Sequence, residues 1–212
     1  APGNDDGGTS AGKVYLILAS SLGTDSAFDL ATADYSFVGE NTTSDQAGGS
    51  LAGAGDVDGD GLDDILIGAA GNDEGGGSEG GSDSGKVYVV LASSLVAGSL
   101  DLEDADYSFL GEMPGDAAGS IVSGAGDVDG DGLDDILIGA PFNDEVDDKS
   151  GKAYLILASS LDPLGPTDLE DADYGFLGEV EDDYAGRALA GAGDVDGDGL
   201  DDILIGAPHT NN

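Results

Sequence analysis

Three times this chain repeats a nine-residue loop rich in carboxylate oxygen. The first reads Asp56-x-Asp58-x-Asp60-Gly61-Leu62-x-Asp64. The same set recurs as Asp127, Asp129, Asp131, Leu133 and Asp135, and again as Asp194, Asp196, Asp198, Leu200 and Asp202. Acids at positions 1, 3, 5 and 9, with a leucine carbonyl at position 7 free to turn inward, make an oxygen-only donor set. A hard divalent cation takes such a set, and a flexible, charge-rich loop favours calcium over magnesium. Two carboxylates about 4 Å apart repel by ~4 kcal/mol at an effective dielectric near 20, so four of them in nine residues require a counter-ion. The expected complement is about three calcium ions per chain. Asp63, Asp134 and Asp201, at position 8, are expected to point elsewhere. The loop is not an EF-hand: position 12 is Ile67, Ile138 or Ile205 rather than a bidentate acid.

Other chemistries are poorly served. There is no Cys and a single His, which removes thiol nucleophiles, Cys-ligated zinc and the commonest general base. That histidine, His209, lies in a polar tail. Paired carboxylates could in principle hydrolyse a glycoside. Acids are so abundant here, however, that suitable spacings arise by chance, and no nucleophile–base pair is visible, so we expect no enzyme. Arg187 is expected to form a surface ion pair. Lys13, Lys86 and Lys152 share one repeat position, which points to a structural role. The acidic run from Asn143 to Ser150 reads as a solvated loop.

The 212 residues hold 45 Asp+Glu against 5 Lys+Arg, a formal charge of −40. Phosphate neutralisation needs clustered basic residues, so nucleic acid is excluded as a partner, and an anionic membrane surface with it. Three calcium ions offset only a small part of this charge. The remainder is expected to act as solvation charge, of the kind seen on proteins working in high salt, or to resist self-association. Disorder does not follow, because 39% of the residues are hydrophobic and fall in compact runs such as Val14–Leu18. No run approaches the roughly 18 apolar residues that span a bilayer, so membrane insertion is not expected. No basic segment followed by an apolar one opens the chain, so a signal peptide is expected to be absent or already removed.

The elements that position the loops follow from the repeat. GAGDVDGDGLDDILIGA occurs unchanged at Gly53–Ala69, Gly124–Ala140 and Gly191–Ala207, with periods of 71 residues (56 to 127) and 67 residues (127 to 194). Each period predicts four short strands: Ser50 to Val57, Asp64 to Gly68, Lys86 to Leu91 and Asp106 to Gly111. Four strands per repeat of this size is the signature of a β-propeller blade, so the fold class is all-β, with blades of four antiparallel strands. The phase of the repeat divides the chain, as one repeat domain 1–212, into a half-blade 1–49, blades 50–118 and 119–185, and a half-blade 186–212. Open half-blades expose strand edges. The expected solution is a homodimer in which each N-terminal half-blade completes the partner's C-terminal one, giving six blades; a head-to-tail fibre is the alternative.

The calcium loop, followed by Asp-Ile-Leu-Ile-Gly-Ala-Pro at Asp135–Pro141 and Asp202–Pro208 and by Gly-Lys-x-Tyr at Gly151–Tyr154, resembles the FG-GAP repeat family of integrin α-subunit propellers. The resemblance covers essentially the whole chain. It implies a calcium ion in the outer loop of each blade, and extracellular or cell-surface recognition of a protein or glycan by loops at one face of the ring. The Phe-Gly that names the repeat is Ala47-Gly48, Ala118-Gly119 and Ala185-Gly186 here, and the first Gly-Ala-Pro is Gly68-Ala69-Ala70. The functional expectation is a non-enzymatic, calcium-stabilised adhesion module. The alternative is a self-assembling structural protein without a dedicated ligand.

Overall fold

A computed structural model describes residues 1–23, 27–40, 44–75, 82–96 and 98–208. His209 and the glycines 76 and 77 lie outside them, as does part of the Asn72–Ser84 loop. The described strands are β1 (Lys13–Leu16), β2 (Tyr35–Val38), β3 (Ser50–Gly55), β4 (Asp64–Ala69), β5 (Lys86–Val90), β6 (Gly98–Asp101) and β7 (Tyr107–Leu110). They continue with β8 (Ile121–Gly126), β9 (Asp135–Ala140), β10 (Lys152–Ile156), β11 (Thr167–Asp168), β12 (Tyr174–Leu177), β13 (Ala188–Gly193) and β14 (Asp202–Gly206). Only 3-10 turns accompany them among the described residues, so the fold is all-β and propeller-like.

Four sheets follow one another along the chain, ordered β1-β2-β6, β11-β7-β5-β4-β3, β12-β10-β9-β8 and β13-β14. Within each repeat the strands pair antiparallel with their sequence neighbours, as the alternation predicts. The run Asp-Ile-Leu-Ile-Gly-Ala forms the second strand of its sheet. In β9 all six of its residues are buried, because both faces of that sheet are covered. Alternate residues serve the two faces: Ile136 and Ile138 join the core shared with the preceding sheet, while Leu137 joins the core of the following one. A bulge at Gly53/Gly55, repeated at Gly124/Gly126 and Gly191/Gly193, turns the first strand into the acidic loop.

The structure adds a feature that the four-strand pattern lacks. β6 runs parallel to β2, and β11 parallel to β7, so each of these sheets takes its outermost strand from the next repeat. The segments Gly-Ser-Leu-Asp and Thr-Asp are short and polar and carry no alternation, so periodicity does not reveal them. At the Phe-Gly position the alanines form parallel bridges, Gly12–Ala47, Gly85–Ala118 and Gly151–Ala185. There the backbones approach so closely that a Cβ on Gly85 would overlap the main chain of Ala118. Small side chains thus replace aromatic packing with direct backbone contact.

Candidate metal centres

Each acidic loop lies between the first and second strands of its sheet, all at the same end. In the first loop the Asp56 carboxylate accepts from the N–H groups of Gly59 (2.8 Å) and Gly61 (2.9 Å). Asp58 accepts from Asp60 N–H (3.0 Å), and Asp60 from Leu62 N–H (2.8 Å). Asp64 Oδ2 reaches back to Val57 N–H at 3.0 Å. The left-handed backbone at Gly59 (φ 78°) and Gly61 (φ 86°) permits this winding. The pattern recurs around Asp127 and around Asp194, so identical sequence makes an identical turn.

The winding brings three acids of each loop together. Asp56, Asp58 and Asp64 each offer an oxygen within 4.8 Å of the others, and so do Asp127, Asp129 and Asp135, and Asp194, Asp196 and Asp202. Asp60, Asp131 and Asp198 lie in the same turns but outside these triads, and Leu62, Leu133 and Leu200 follow them in the chain. Burial, reinforced by the charges of Asp58 and Asp60, raises the pKa of Asp64 despite its backbone hydrogen bonds. Asp135 is raised in the same way by burial and by Asp129 and Asp131. Among the described residues no lysine or arginine pairs with any loop acid, since the ion pairs involve only Lys13, Lys86, Lys149 and Lys152 with other acids. An oxygen-only donor set that is crowded and without a side-chain cation, partly buried in the first two loops and exposed in the third, fits a divalent ion.

The loops are also joined to one another. Asp134, at position 8 of the second loop, accepts from Asp56 N–H at 2.9 Å, while its own N–H donates to the Asp56 carbonyl at 3.0 Å. Asp201 N–H donates to the Asp127 carbonyl at 2.9 Å, and the Asp201 carboxylate covers Gly126 as Asp134 covers Gly55. Position 8 therefore clips one loop to the loop before it. Asp63 makes no such contact among the described residues.

A second constellation sits at the opposite end of the sheets. Lys86 Nζ, buried, pairs with Glu40 Oε1 of the preceding repeat at 2.6 Å and with Glu74 of its own. Lys152 pairs likewise with Glu112 (2.8 Å) and Glu145 (2.6 Å). Burial opposes the charge on each lysine, yet the two carboxylates outweigh it and raise the pKa. Asp144 to Asp148 are exposed, as expected of a solvated loop, yet Glu145 from that loop is one of the three groups of this ion triad. Asp116 is buried beside Asn143, whose Nδ2 donates to it at 2.7 Å, and burial pushes its pKa up to about 6. Glu112, Asp116, Glu145 and Lys152 line a cleft of about 560 Å³. Sequence reasoning missed it because its residues come from two repeats and, apart from Lys152 of the Gly-Lys-x-Tyr segment, none belongs to a motif. Arg187 makes no ion pair among the described residues and instead stacks on Tyr184, 5.6 Å from the ring centre.

Comparison with known proteins agrees with this architecture. The FG-GAP repeat profile matches residues 47–90, 118–156 and 185–212. Integrin alpha-PS2 of Drosophila melanogaster is 32% identical over 157 residues, covering 72% of this chain and 11% of that protein. Integrin alpha pat-2 of Caenorhabditis elegans is 33% identical over 175 residues (78% and 13%), and integrin alpha-5 of Xenopus laevis 30% over 177 (82% and 16%). The chain thus spans only a small part of the length of these relatives. Among the described residues no helix is long and apolar enough to cross a membrane. Repeat length, strand order, the recurring acidic loop and these matches converge: the chain belongs to the FG-GAP repeat family.

Proposed function

We propose that this chain is an integrin-like adhesion module of the cell exterior, non-enzymatic, with a calcium ion held in each of its three acidic loops. The observation that carries the reading is the triad of carboxylates within 4.8 Å, present three times without a neighbouring cationic side chain. Asp56, Asp58, Asp60 and Asp64, with the Leu62 carbonyl, would hold the ion in the first loop. Asp127, Asp129, Asp131, Leu133 and Asp135 would do so in the second, and Asp194, Asp196, Asp198, Leu200 and Asp202 in the third. Calcium would neutralise each loop and fix the end of the sheet from which it projects. Integrin α relatives support an extracellular protein as the ligand class, and the carboxylate-lined cleft by Glu112 and Asp116 suits a cationic group on it.

Calcium titration followed by calorimetry and thermal melting tests the reading. Three equivalents are expected to bind. At about 10 mM calcium, with dissociation constants in the 0.1–1 mM range of extracellular modules, each loop contributes about 1.4–2.7 kcal/mol. Asp58→Asn removes one equivalent and leaves the others. Melting unchanged between calcium and excess chelator overturns the assignment.

A further inference from the structure

The acidic loops are tied together through position 8, which their donor sets leave out. Asp134 stands in the chain between Leu133 and Asp135, two donors of the second loop. It grips the backbone of Asp56, the first donor of the first loop, at two points. Its carboxylate accepts from Asp56 N–H at 2.9 Å, and its own N–H donates to the Asp56 carbonyl at 3.0 Å. Beside it, Leu133 Cδ2 lies over Gly59 of that same first loop. The third loop holds the second in the same way. Asp201 N–H donates to the Asp127 carbonyl at 2.9 Å, its carboxylate covers Gly126, and Leu200 lies over Gly130. Gly55 and Gly126 are left-handed (φ 82° and 79°), and a Cβ on either would overlap the covering carboxylate. Each clip therefore needs a glycine as well as an aspartate.

The peptide that joins Leu133 to Asp134 serves both loops. It is trans, so its C=O and N–H point in opposite directions. With the N–H fixed on Asp56, the Leu133 carbonyl is turned away from the first loop, as a donor to the second must be. A cation drawn to that carbonyl polarises the peptide and strengthens the N–H···O bond on its far side. The strengthened clip holds the backbone of Asp56, whose carboxylate is wound into the first loop by Gly59 and Gly61. Order imposed on one loop is thus passed to the next through two hydrogen bonds.

We propose that Asp134 and Asp201 are positioning residues that couple calcium binding in successive loops, so that filling one loop raises the affinity of its neighbour. The coupling rests on the calcium reading above. Linkage makes it reciprocal: each loop tightens the other by the same factor. Repulsion between two bound divalent ions acts in the opposite sense. At ~1 M salt, however, the Debye length is about 3 Å and that repulsion is largely screened, whereas the hydrogen-bonded clip persists. For one clip the factor is expected at the low end of the usual range, about 5- to 10-fold.

The test is calcium titration by calorimetry in ~1 M salt, on chains whose third loop is silenced by Asp196→Asn. Adding Asp58→Asn or Asp129→Asn leaves a single working loop and gives its affinity alone. With both loops working, the second equivalent is expected to bind about 5- to 10-fold more tightly than that reference. Asp134→Ala is expected to reduce the factor to about twofold or less, since only the backbone bond remains. Asp134→Asn keeps an oxygen acceptor for Asp56 N–H without the charge, and is expected to keep the coupling. A cooperative melt of each variant in calcium shows that it folds. Equal, independent affinities in the two-loop chain overturn the coupling and leave the calcium reading standing. A factor that survives Asp134→Ala, or that Asp134→Asn loses as fully, overturns the assignment to the Asp134 hydrogen bond. No calcium uptake in any chain overturns the calcium reading, and the coupling with it.

Discussion

Asp63 and Asp134 occupy the same position in identical seventeen-residue segments, yet their substitution by alanine is expected to differ sharply. Asp134→Ala deletes a 2.9 Å hydrogen bond between a carboxylate and the part-buried N–H of Asp56, across 78 residues of sequence. A hydrogen bond to a charged group contributes about 1.5–3 kcal/mol, and an abandoned donor adds desolvation cost. Removing one negative charge from a crowded acidic surface offsets part of that, which leaves about 2 kcal/mol. In a chain of this size the melting temperature falls about 2–4 °C per kcal/mol, so Asp134→Ala should lower it by about 4–8 °C. Asp63→Ala removes no contact within the chain and should stay within about 1 °C. The assay is thermal unfolding by circular dichroism at fixed salt and calcium. Equal losses for the two variants, or no loss for Asp134→Ala, would refute the inter-loop clip.

Glycine substitutions probe the same clip from the other side. Gly55 (φ 82°) and Gly193 (φ 68°) both pay the left-handed cost of about 1–2 kcal/mol on mutation to alanine. Only at Gly55 does the new Cβ also strike Asp134, so Gly55→Ala should melt several degrees below Gly193→Ala. Lys86→Met leaves Glu40 buried without a partner and should cost about 3–5 kcal/mol; denaturant titration of the variant against the wild type checks it. Asp116 has its folded pKa raised to about 6, so the folded state holds the proton more tightly than the unfolded chain. Its contribution is therefore fully present below about pH 4 and lost as pH rises through 6, about 3 kcal/mol in all. Asp116→Asn lacks that loss, so the stability advantage of the wild type over the variant should shrink between pH 4 and 7; parallel profiles would count against the assignment.

The sequence carried the architecture because its repeats are near-identical and each apolar run sits between glycines. Val87 and Val89 on one face of β5, and Tyr88 and Val90 on the other, follow from alternation alone. The acid triads follow from spacing, since the turn is local and its hydrogen bonds span five residues or fewer apart from the closing bond of the ninth-position acid. What stayed hidden depends on long-range pairing. Asp134 looked like a spare acid because its partner lies in another repeat, and the ion pair of the exposed Glu145 was hidden because Lys152 reaches it only in the fold. β6 and β11 carry no pattern of their own, being held by the backbone of a neighbouring sheet.

That borrowed outer strand has a consequence for how the chain emerges from the ribosome. β2 ends at Val38 and its outer neighbour begins at Gly98; β7 ends at Leu110 and waits for Thr167. At about 5–20 residues per second, each edge stays bare for roughly 3–12 s of synthesis. During that interval nascent chains crowded along one messenger could cross-pair through the bare edges. A surface of dense negative charge holds such chains apart while each sheet waits for its closing strand.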